Sequence, residues 1–78
     1  MTSISKISAT NNGWNAAIEH LEKCENEVIR KQRAKVLIAN ADEVQKTYNS
    51  DNAIFHYAEG VRDAIIEFEM TGAIPSEA

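Results

Sequence analysis

One cysteine, one proline, three glycines and no long apolar run set the first limits on this chain of 78 residues. A single thiol, Cys24, excludes an internal disulfide. One cysteine with two histidines, His20 and His56, falls short of a four-ligand structural zinc site unless carboxylates or a second chain contribute. No apolar run approaches the roughly 20 residues of a membrane span. Residues 1–10 have neither the basic start nor the apolar stretch of a signal peptide, so a cytoplasmic location is expected, with no membrane partner. Basic residues are also in deficit: 8 against 12 acidic ones give a formal charge of −4. That balance argues against a nucleic-acid coat, whose usual footprint is basic, and nucleic acid is not an expected partner. A domain of this size buries only about 60% of its unfolded surface, so tight helix packing or oligomerisation has to stabilise it.

What is present is helix-forming sequence. From Trp14 to Tyr48 there is no glycine or proline, and Ala, Glu, Leu, Lys, Arg and Gln abound. Apolar residues recur at spacings of three and four through Trp14, Ile18, Leu21 and Val28, and again from Val36 onward. This predicts one long helix over residues 13–48, capped by Thr10, Asn11 or Asn12, with residues 1–12 as a mobile arm. Asn49, Ser50, Asp51 and Asn52 form the clearest turn. A second helix over residues 51–71, capped by Ser50 or Asp51, then carries the seam Ile54, Ala58, Val61, Ile65 and Phe68 at 4, 3, 4, 3 spacing. Gly60 inside it implies close approach of another backbone or a ligand. Gly72 reads as a left-handed C-cap, with Pro75 in the tail of residues 73–78.

The expected fold is therefore all-α, an antiparallel helical hairpin in a single domain of residues 13–72. Paired outward from the turn, the second helix ends opposite residue 30. The face of Trp14, Ile18, Leu21 and Val28 is then left bare, and a bare apolar face signals an interface. A homo-oligomer is expected from this, most simply a twofold helix bundle. The alternative is a three-helix bundle, breaking near Asn40, where Asn40 and Glu43 would form a capping box, or within residues 30–35.

Few residue sets carry chemistry. His20 and Cys24 share a helix face, with Glu27 nearby, yet no glycine-rich loop offers an oxyanion site. Cys24 reads as a small interior residue and His20 as half-exposed. His56 and Glu59 have the reverse order of a di-iron Glu-x-x-His motif and read as helix surface. No enzyme and no cofactor are expected. Arg30, Lys31, Arg33 and Lys35 form a basic cluster suited to phosphate. With Arg62 and Tyr57 it would bind a nucleotide at a subunit interface; otherwise its charges pair with Glu67 and Glu69.

Gly13, Trp14, Asn15, Ile18 and Glu19 form a GWNxxIE start, and Ala58-Glu59-Gly60-Val61-Arg62-Asp63-Ala64-Ile65 has a related character. Together they resemble small accessory proteins encoded by phages and prophages. The resemblance covers about a third of the chain and implies a small, acidic, non-catalytic factor acting in the host cell cytoplasm. Some such proteins block host defences by occluding a host protein, mimicking nucleic acid or sequestering a nucleotide signal. The first expectation is an interaction or inhibitor module that binds a host protein. The second is an oligomer that sequesters a phosphorylated small-molecule signal, and the third a small transcriptional regulator. The motif carries no site residue across.

Overall fold

The computed structural model describes residues 5–78, which form three helices, α1 (Lys6–Glu22), α2 (Glu27–Thr47) and α3 (Ala53–Thr71). Two short connections reverse the chain, so it runs up, down and up. The chain is all-α, and the three-helix alternative rather than the two-helix hairpin is what forms, because the expected first helix over residues 13–48 is two helices. Its break lies at neither expected place: Asn40 sits inside α2, and so do residues 30–35. The longest dimension, 41 Å, is shorter than the ~50 Å that a continuous 35-residue helix would span.

The break follows from capping. Backbone amides near the end of α1 turn back on themselves, Lys23 N–H to the Glu19 carbonyl and Cys24 N–H to that of Leu21. Asn26 then adopts an extended conformation, and its side-chain oxygen accepts the Ile29 N–H at 2.9 Å, starting α2. Glu27 adds an acid in the first turn of α2, where the helix dipole favours it. Arg30 completes the corner: its Nε–H donates to the Leu21 carbonyl at 3.1 Å, a second bond to the oxygen that accepts the Cys24 N–H.

The start of α1 also differs from expectation. Ser5, not Thr10, Asn11 or Asn12, is the N-cap, its hydroxyl accepting the Ser8 N–H at 3.1 Å. Residues 6–12 of the expected arm are therefore helical, and residues 1–4 lie outside the described residues. Thr10 is a turn into the helix, its hydroxyl donating to the Lys6 carbonyl.

α3 is the spine. Ala58, Val61, Ile65 and Phe68 are buried as the seam predicts, joined by Ala64, while Ile54 at the N-terminal end stays 46% exposed. Asn52, one residue beyond Ser50 and Asp51, caps α3 by accepting the Ile54 N–H. Gly72 ends the helix in the left-handed region at φ 76°. Beyond it the chain folds back, burying Pro75 and half-burying Ile74.

α1 lies along the face of α3 that a hairpin would leave empty. Contact there is backbone to backbone. A Cβ on Gly60 would stand inside the shell of the Thr10 carbonyl and 2.8 Å from the Trp14 nitrogen. One on Gly13 would meet the Tyr57 backbone, 2.7 Å from its carbonyl carbon. The close approach expected at Gly60 is thus made by α1 of the same chain. It overturns the bare face: Ile18 and Leu21 are buried, Trp14 is half-buried, and only Val28 is left out, at 67% exposed. The inferred oligomer interface loses its basis, because α3 and the returning segment cover those side chains.

Candidate docking groove

α1 and α2 each pack on α3 but touch one another little. The gap between them is an open apolar groove of about 330 Å³. Its α1 wall is Ala16 and Ala17, its α2 wall Leu37, Ala41 and Val44, and its floor Ala58 and Val61 of α3. Alanines from all three helices contribute to its lining. Ile54 and Tyr57 stand at the edge, and Tyr57 is 42% exposed. His20 and Asn40 are the polar groups that face it.

Apolar exposure continues beyond the groove. Val36, an exposed residue of α2, lies four before Asn40 and therefore on its side of the helix, and Ile29 is exposed two turns earlier. Each half-exposed Leu, Ile or Val of this strip leaves about half of its ~1.5–3 kcal/mol burial free energy unrealised. A contiguous patch of that kind is a mark of an interaction surface.

The basic residues converge only in part. Arg30 is occupied by the Leu21 carbonyl, with a second, longer contact to that of Cys24. Lys31 and Lys35 border a second hollow, of about 320 Å³, beside Phe68 and Glu69, and Arg30 and Lys31 border one that shares Phe68 and Gly72 with it, whereas Arg33 borders another beside His20 and Cys24. The pairing expected with Glu67 and Glu69 is not formed; among the described residues the ion pair is Arg62 Nε to Asp42 Oδ1, at 2.6 Å. Both of its side chains are nearly half exposed, so it contributes under about 1 kcal/mol. Of the six residues proposed for an anion site, Tyr57 alone lines the groove; Arg30, Lys31 and Lys35 gather near Phe68, while Arg33 and Arg62 lie elsewhere.

His20 and Cys24 meet through the backbone: the Cys24 thiol donates to the His20 carbonyl at 3.3 Å. His56 Nε2 lies 2.7 Å from the Ser50 carbonyl and so holds its proton toward it, tying α3 to the turn before it. Among the described residues, no group of three or more His, Cys, Asp and Glu gathers as metal ligands would. Nor is any helix among them long and apolar enough to cross a membrane.

Ile54 is the groove residue that the α3 seam assigned to the core, while Leu37 and Val44 are half-buried against the core. Their partial exposure depends on where α1 lies, which spacing along α2 and α3 does not state. Comparison with known proteins finds no family model that matches the chain, and no significant match to a curated protein or a solved structure.

Proposed function

We propose that the chain is a non-enzymatic interaction module that binds another protein through the groove between α1 and α2. The observation that carries this reading is the open apolar strip of Leu37, Val44, Ile54 and Tyr57, continued by Val36 and Ile29. An amphipathic helix suits such a groove, laying apolar residues one turn apart between two helices. The resemblance of the GWNxxIE start to phage accessory proteins makes that partner a host protein and the module an inhibitor. Sequestration of a nucleotide has less support: of the basic residues only Arg30, Lys31 and Lys35 share a surface, Arg30 is engaged by the Leu21 carbonyl, Arg33 lies elsewhere and Arg62 is paired with Asp42.

The test compares capture from host extract by the native chain with that by Ile54→Glu and Tyr57→Glu, both altered at exposed positions. Met70→Glu, on an 81% exposed residue outside the groove, is the control. A partner that the native chain and the control retain, and both groove variants lose, is the expected outcome. Equal capture by all four proteins removes the groove from the account. A copurifying mass of a few hundred daltons in native mass spectrometry would instead favour the nucleotide reading.

A further inference from the structure

On a different side of α1 from the groove, the segment of residues 73–78 lies across Trp14 and Asn15. The Trp14 indole N–H donates to the Ser76 carbonyl at 2.7 Å, and the Asn15 side-chain oxygen accepts the Ala78 N–H, also at 2.7 Å. Both contacts engage backbone groups, one carbonyl and one amide two residues apart. They therefore read an extended strand whatever side chains Ser76 and Ala78 carry. Selectivity comes from the residues before them: Pro75 is buried and Ile74 packs against the core. Proline holds its own φ and biases the residue before it toward extended backbone, so the segment is pre-shaped for this seat.

We propose that Trp14 and Asn15 form a recognition site for an extended, proline-bearing peptide of another protein, and that residues 73–78 occupy it as an internal competitor. Two features make the segment a strap separable from the fold. Gly72 joins it to α3 in the left-handed conformation and the Thr71 hydroxyl bonds Ala73 across it, so the part that lifts without disturbing the helix is residues 74–78. Ser76, Glu77 and Ala78 are exposed, so beyond Ala73 the strap is held by the two hydrogen bonds to Trp14 and Asn15, Pro75 and Ile74. A tethered competitor acts at an effective concentration in the millimolar range, so an incoming peptide binds weakly until the strap is loosened. The site is separate from the groove and does not depend on the reading given to it.

The experiment follows the Trp14 indole N–H resonance in the native chain and in an Ile74→Ser, Pro75→Ser double variant, each titrated with the peptide Ala-Ile-Pro-Ser-Glu-Ala. In the variant the resonance is expected to leave its hydrogen-bonded position and to return as peptide is added. Half-saturation is expected at least 10-fold lower than in the native chain, and an added Asn15→Ala change should weaken it. A folded variant whose resonance ignores the peptide overturns the proposal. If the variant does not fold, hydrogen exchange in the native chain decides. Exchange of the indole and Ala78 protons at least 10-fold faster than the amides of Ala17 and Leu21 shows a strap that opens alone. Equal protection shows a strap inseparable from the fold, and the proposal fails.

Discussion

Single residues decide whether this chain is one long hairpin or three helices. At Gly60 two effects have opposite signs. Helix propensity alone would make Gly60→Ala stabilising by about 1 kcal/mol. The Thr10 carbonyl and the Trp14 nitrogen stand where the new methyl must go, and neither backbone group can step aside. Overpacking should win, with a net loss of about 1–3 kcal/mol in urea unfolding; a gain would mean that α1 does not lie on Gly60. Asn26→Ala gives an equally direct sign. As the N-cap of α2 it should lose ~1 kcal/mol, whereas in a continuous helix the same change would stabilise. Gly72→Ala places a Cβ in the left-handed region at φ 76°, with no steric neighbour, and should cost roughly 1–2 kcal/mol through backbone strain alone.

At the scale of elements, α3 was readable because every local cue agrees: a regular seam, a preceding run of four turn-forming residues, and a glycine cap. The boundary between α1 and α2 was not. Glu22, Lys23, Cys24, Glu25 and Asn26 include no glycine or proline, and apart from Asn26 they suit a helix well enough to hide the corner. The corner is set by the Asn26 cap together with the reach of Arg30 back to the Leu21 carbonyl, and the second of these no local pattern announces. Ser5 was hidden differently, because Thr10, Asn11 and Asn12 offer three nearer caps, yet all lie within α1. The groove was the least legible part. Whether Leu37 and Ile54 face core or solvent depends on where α1 lies, and the hairpin expectation had moved α1 away.

The three helices are also unequally held. α2 fully buries only Ala34 and Ala41, whereas α3 buries Ala58, Val61, Ala64, Ile65 and Phe68 besides Gly60. Little apolar area is therefore lost when α2 lifts away from α3. Native-state hydrogen exchange should find the central amides of α2 exchanging at least 10-fold faster than those of α3. Equal protection in both helices would show that they open only together. A loosely held α2 also suits a docking surface, because the groove widens when that wall moves.

For the whole molecule, the fold replaces one proposed interface with another. Ile18 and Leu21, which a hairpin would have had to bury in a second copy, are covered by the chain itself. The uncovered apolar surface is instead the strip between α1 and α2, and the basic residues that suggested an anion site are divided, with Arg30, Lys31 and Lys35 near Phe68 and Arg33 and Arg62 apart from them. The most direct test of the docking groove is hydrogen exchange across the whole chain, alone and in complex with the captured partner. Protection is expected at residues 37–44 and 54–61, the segments that line the groove, with no change around Ile66 and Met70. Protection confined to Lys31, Arg33 and Lys35, with the groove segments unchanged, would contradict the account.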